Sequence, residues 1–223
     1  MLLTNRLFER QPPSREAKSI YIFCEGAKRE YQYFKYFREM DSRINVEVYR
    51  LHPHENNSPL GLLEIAKNCI IPTEKNPTPK YKFQENDEVW IILDVDKDKA
   101  ETRKPQVKEL RRFCNENNDW EVLQSNPCFE VWLHYHQFEE RQEFQGDDSC
   151  TNWKGFVNSS FEGGFDSRRH PILIKSAIKN ANGNFQSEND EPKKGCTEVF
   201  KLGESVMSIL KEKIEKVLAE IEE

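Results

Sequence analysis

Four short apolar runs, each followed by a stretch with helical spacing, set the narrowest limit on what this chain can fold into. The runs are SIYIFCEG (19–26), INVEVYRLHP (44–53), EVWIILDVD (88–96) and WEVLQSN (120–126). The first is rich in β-branched and aromatic residues and ends at Gly26, a strand running into a turn. The second alternates Ile44, Val46 and Val48, as a half-buried strand does. Between the runs, residues 27–40 carry Tyr31, Phe34, Phe37 and Met40 at helical intervals. Ser58 and Pro59 form a cap followed by proline at the first helical position, which predicts a helix from about Leu60 to Ile71. Pro105 opens a helix that carries Val107, Leu110, Arg111 and Cys114, and PCFEVWLHYHQF (127–138) reads as a helix with proline in its first turn. The resulting β-α-β-α-β-α-β-α order predicts an α/β fold, a parallel sheet flanked by helices. The run 88–96 is apolar enough for burial on both faces, which suits a central strand.

The pattern loosens beyond residue 140. Residues 1–17 hold a Pro-Pro pair among polar residues and read as a loosely attached arm, residues 18–140 as the α/β domain, and residues 141–223 as a mostly helical C-terminal extension. Within that extension CTNWKGFVNSSF is a short helix or turn, and HPILIKSAIKNA (170–181) is a helix. The polar stretch 182–195 has neither strand nor helix period and reads as a loop. Residues 197–223 form one long amphipathic helix, its stripe made of Val199, Leu202, Val206, Leu210, Ile214, Val217 and Ile221. So long a stripe predicts that the distal half meets a second copy or a partner, with packing inside the chain as the alternative.

Composition excludes several classes. No apolar run reaches the roughly 18–20 residues of a membrane span. The first residues lack the apolar centre of a signal peptide. The six cysteines (24, 69, 114, 128, 150 and 196) form no C-x-x-C pair, so they read as reduced thiols of a cytoplasmic protein. With a net charge of −6 the whole molecule does not attract nucleic acid, and any such role rests on a local patch. One candidate lies in residues 97–112, where Lys97, Lys99, Arg103, Lys104, Lys108, Arg111 and Arg112 stand against Asp98, Glu101 and Glu109. Phosphate backbones favour such a patch; a solvated helix face is the plain alternative.

The run 88–96 ends in acids. In a parallel sheet, ligand sites lie beyond the carboxyl ends of the strands. Asp94 and Asp96 stand at one such end, Glu25 at that of the first strand and Asn126 at that of the fourth. Carboxylates gathered there require a compensating cation, and hard oxygen donors suit Mg²⁺ or Mn²⁺. Asp98, Glu30 and Glu130 are further candidate ligands, although Glu130 could equally cap the helix behind Asn126. Strand-end acids of this kind are also used as caps or left in solvated loops. The G-x-x-x-x-G-K-[ST] phosphate loop is missing, which argues against an ATPase built on it. His134 and His136 lie two apart on a predicted helix and cannot share a zinc ion. The aromatic residues of 31–37 could stack bases but read first as core.

IFCEGAKREYQYF, VWIILDVDKD, SNPCFEVWLHYH and AIKNAN…TEVFKL, in this order, resemble the RloB-like proteins. The first two motifs are shared with the wider Toprim class, which includes topoisomerases, primases and nucleases. The resemblance implies a Toprim-like sheet in which Glu25 and the Asp94–Asp96 pair bind Mg²⁺. A further glutamate of related nucleases corresponds to Glu30, one residue later than in their spacing. It also implies a metal-dependent nuclease of bacterial anti-phage defence acting beside an ABC- or AAA-type ATPase. The alternative is a non-catalytic subunit that binds nucleic acid or a phage trigger.

Overall fold

The four apolar runs become the four long strands of one sheet. The computed structural model describes residues 8–95, 100–146 and 148–222. In it β1 (Lys18–Cys24), β2 (Ile44–Val48), β3 (Glu88–Asp94) and β4 (Trp120–Asn126) lie in the order β2-β1-β3-β4, all parallel. Later in the chain come a small hairpin, β5 (Ser187–Glu188) and β6 (Glu191–Pro192), and a two-residue strand β7 (Cys196–Thr197) that pairs antiparallel with the outer edge of β4. The helices are α1 (Arg29–Phe34), α2 (Pro59–Ile70), α3 (Ala100–Asn115), α4 (Glu130–His134), α5 (Cys150–Ser160), α6 (Ile174–Asn184) and α7 (Phe200–Glu222). The fold is α/β, with a mostly parallel sheet between two helical layers. No helix of the described residues is long and apolar enough to cross a membrane.

Because successive side chains of a strand face opposite sides, each central strand serves two cores. Ile20, Ile22, Trp90, Ile92 and Leu123 join α1 and α4 to α7 on one face. Tyr21, Phe23, Val89, Ile91, Leu93 and Val122 join α2 and α3 on the other. The C-terminal helices beyond residue 140 pack on the sheet that the first half of the chain builds, and β7 extends it.

Several local expectations are corrected. The 27–40 segment gives only the six residues of α1 and a 3-10 turn over Lys35–Phe37. Glu39 then takes a φ of 57°, which turns the chain back towards β2. Helix α3 starts at Ala100, and Pro105 lies inside it. The lost hydrogen bond is tolerated because Pro105 sits near the start of the helix on an exposed face. Helix α4 keeps five residues of the twelve expected and is preceded by Phe129, so Asn126 does not cap it.

The 182–195 stretch is folded. Asn189 and Asp190 turn the hairpin with φ of 53° and 61°, values that asparagine and aspartate accept more readily than most residues. The second half of the N-terminal arm is also fixed. Gln11 and Ser14 donate their amides to the carbonyls of Glu39 and Ser42, both at 2.8 Å, and Phe8 packs edge-on against Tyr36. The α7 stripe is buried within the chain: Val206, Leu210 and Ile214 are fully covered and Val217 nearly so, while Ile221 is 48 % exposed. The stripe thus packs inside the chain as far as Val217.

Candidate functional site

Strand alternation decides where each strand-end carboxylate goes. Asp94 follows Trp90 and Ile92 and turns towards α4, where its Oδ1 accepts a hydrogen bond from the Phe129 amide at 2.9 Å. Glu25 prolongs β1, its amide donating to the Ile92 carbonyl at 3.0 Å. It follows Tyr21 and Phe23 and turns towards α3. There the Arg103 guanidinium donates to both of its oxygens, at 3.0 and 2.6 Å, and to the Asp94 carbonyl at 3.2 Å. The pleat sends the two side chains to opposite faces, yet they stay in touch: Glu25 Oε2 also accepts from the Asp94 amide at 3.2 Å, and its charge helps raise the Asp94 carboxyl. Arg103 departs from its expected role. It is 8 % exposed and serves Glu25 rather than an outside phosphate.

The acids on the Asp94 side come from helices. Glu30 lies on α1 and Glu130 at the start of α4, exposed by only 6 % and 3 %. Burial pushes the Glu30 carboxyl up to about 7, and the charges of Glu130 and Glu25 push the same way. Burial raises Asp94 well above the usual carboxylate range, with Glu30, Glu25, Cys150 and Glu130 adding to it. Two cations face this nest. Arg29 Nε is 3.7 Å from Glu130 Oε1. Burial works against the Lys154 ammonium of α5, yet the negative charge of Glu130 carries its pKa up. Gly26 makes room for the nest: a Cβ there would lie 2.1 Å from each oxygen of Glu30.

Asn126 closes β4 at the same end of the sheet, and its side chain follows Val122 and Gln124 onto the α3 face. Its Nδ2 donates to the Pro192 carbonyl at 2.7 Å, and its own carbonyl accepts from the Gly195 amide at 2.8 Å. Among the described residues its buried Oδ1 has no hydrogen-bond partner, a costly state for a buried acceptor.

The donor chemistry fits a hard divalent cation: carboxylate oxygens in excess of positive charge. The ligand count does not close on what is described. Among the described residues no three His, Cys, Asp or Glu side chains form a group able to hold a metal ion. Asp96 and Asp98, expected as ligands, and Lys97 and Lys99, expected as phosphate contacts, lie outside the described residues. Of the remaining basic patch, Lys104 is exposed and 3.6 Å from Glu191, and Lys108 is exposed.

The two helical histidines are packing residues. His136 meets the Tyr33 hydroxyl at 2.9 Å and the Trp132 carbonyl at 3.1 Å, and burial drives its pKa down to about 3. The six cysteines form no disulfide. Sequence reasoning missed Arg29, Lys154 and the spatial role of Gly26. Gly26 did carry a signal, since a glycine directly after a strand-end glutamate marks a close approach as well as a turn. Lys154 carried none, lying 60 residues beyond Asp94 on a helix of unremarkable pattern.

A model of the RloB-like protein family matches residues 20–206. The chain belongs to the RloB-like family. No curated protein and no solved structure matches it. The matched span of this RloB-like chain runs from β1 into α7. It includes the acidic nest, the Glu25–Arg103 pair and the hairpin anchored on Asn126, so the family pattern covers the whole candidate site.

Proposed function

We propose that this chain is a Mg²⁺- or Mn²⁺-dependent phosphoryl-transfer enzyme of Toprim-like design that cleaves nucleic acid. Asp94 and Asp96 would hold the ion, with Glu30 and Glu130 buried close to Asp94. The observation that carries the reading is the charge imbalance at the end of β3, where buried carboxylates raise one another's pKa. When bound, the divalent ion supplies Lewis acidity towards a phosphate oxygen and stabilises the charge of in-line attack.

The side chains do the rest. Glu30, titrating at about 7, is matched to neutral pH as the group whose Oε takes a proton from water. Asp94 is oriented by the Phe129 amide, which takes its Oδ1. Arg29 and Lys154 hold positive charge at the rim, where a scissile phosphate would need it. Lys104 and Lys108, with Lys97 and Lys99, guide the backbone in. The resemblance to defence proteins supports a cytoplasmic role against phage, with an ABC- or AAA-type ATPase as partner.

A second reading is a non-catalytic nucleic-acid- or trigger-binding subunit. It is favoured by the Arg103–Glu25 pair, in which the protein neutralises one expected ligand by itself. Calorimetry with Mn²⁺ on wild type, Asp94→Asn and Asp96→Asn, together with cleavage assays on DNA and RNA with and without the ATPase, separates the two. Binding lost in the variants along with cleavage supports the enzyme. Binding without cleavage of any substrate supports the subunit, and equal affinity in all three proteins removes the site.

A further inference from the structure

A groove of about 1850 Å³ leads away from Asp94 between α3 and the β5–β6 hairpin. Small-molecule pockets span roughly 300–1,000 Å³, so this is a channel for something longer. Basic side chains outnumber acidic ones along its described walls, the reverse of the whole chain with its 33 basic and 39 acidic residues.

The cations stand on both sides. Lys108 and Arg112 are exposed on the α3 wall, and Lys193 and Lys194 are exposed at the foot of the hairpin. None of these four is in an ion pair among the described residues. The acids Glu188 and Asp190 sit at the opposite end of the hairpin, near its tip.

The hairpin wall is fixed to the site. Asn126 holds it at Pro192 and Gly195, and Arg141 Nη1 donates to the Lys194 carbonyl at 3.2 Å. The walls also come close together: Lys104 Nζ of α3 is 3.6 Å from Glu191 Oε2 of β6. A single strand needs only this exposed pair to part, whereas a duplex needs the walls themselves to separate.

We propose that this groove binds one single strand of nucleic acid, with Lys193 and Lys194 on the hairpin and Lys108 and Arg112 on α3 as its phosphate contacts. The proposal rests on the phosphoryl-transfer reading for what happens at Asp94, but not for binding itself. A positively charged cleft that tracks the backbone is the usual means of holding a single strand without regard to sequence.

The test is fluorescence anisotropy of the full chain with short labelled oligothymidylate and oligouridylate, in EDTA, across a salt series. The two oligonucleotides distinguish DNA from RNA, and an unlabelled duplex serves as competitor. The proteins are wild type, Lys193→Ala/Lys194→Ala and Lys108→Ala/Arg112→Ala. All four positions are exposed, so melting temperatures stay unchanged. Each double variant is expected to bind about tenfold more weakly at low salt, with a salt slope shallower by about 0.7 for each cation removed. Wild-type affinity and slope in the hairpin variant, or a duplex that competes as well as a single strand, overturns the proposal. Since EDTA removes any metal, the result is independent of catalysis. Binding as expected with no cleavage leaves the groove and removes the nuclease, whereas cleavage unaffected by the hairpin variant leaves the nuclease and removes the groove.

Discussion

Arg103 grips both carboxylate oxygens of Glu25 and the carbonyl of Asp94 with a single guanidinium, so α3 is tied to the ends of β1 and β3 at once. The pair is mostly enclosed, its side chains exposed by 10 % and 17 %. Removing one member of such a pair leaves the other charge stranded.

Arg103→Ala is expected to lower stability by about 3 kcal/mol, since breaking an enclosed pair from one side costs far more than a surface pair. Glu25→Gln/Arg103→Met should recover most of that loss. Urea melts of wild type and both variants provide the measurement, and a loss below about 0.5 kcal/mol in Arg103→Ala would mean that the pair behaves as a surface contact.

Gly26→Ala forces its new methyl group against the Glu30 carboxylate, which Glu130 and the core hem in. Overpacking of this kind costs about 1–3 kcal/mol. Gly26→Ala/Glu30→Ala removes the clash, so the double variant should be at least as stable as Gly26→Ala alone. Strict additivity of the two single changes would show that Glu30 simply swings clear.

Glu30 gives a signed pH prediction. Its pKa rises from 4.5 unfolded to about 7 folded, so the folded state binds the extra proton between those values. Stability therefore falls as pH rises from 4.5 to 7; the full cost is present above 7 and absent below 4.5. At 1.36 kcal/mol per unit, this amounts to roughly 3 kcal/mol. His136 works in the opposite sense. It stays neutral in the fold, with its pKa driven down to about 3, so stability is lost as pH falls below the unfolded value of about 6.5. The two slopes overlap, so the test is a difference. Glu30→Gln minus wild type, in EDTA, should be more stabilising at pH 8 than at pH 5. A difference that does not change with pH would mean that Glu30 titrates normally.

The end of α7 separates packing from exposure. Ile214→Ala opens a cavity in the core and should cost about 3 kcal/mol, while Ile221→Ala, at 48 % exposure, should stay within about 0.5 kcal/mol. Thermal melts with sedimentation at several concentrations also check self-association. A concentration-dependent melt lost in Ile221→Ala would return the helix end to the role of an interface.

The sequence by itself determined the strands and the layers. The apolar runs 19–24 and 89–93 are alternating surfaces buried on both sides, and the Ser58–Pro59 cap starts α2 because both signals act over a single turn. It also marked Asp94, since a carboxylate directly after a core strand is legible from its neighbours alone. Only the tertiary structure decided which face each acid takes and what it meets. Glu25 and Arg103 are 78 positions apart, and Asn126 holds Pro192 across 66. The hairpin has no period to announce it, because its two short strands are fixed by Asn126 and by the turn at Asn189 and Asp190 rather than by an apolar face. Periodicity records what a residue's own element buries. Pairings between elements depend on how the sheet stacks its helices, and that is settled only when the two cores close.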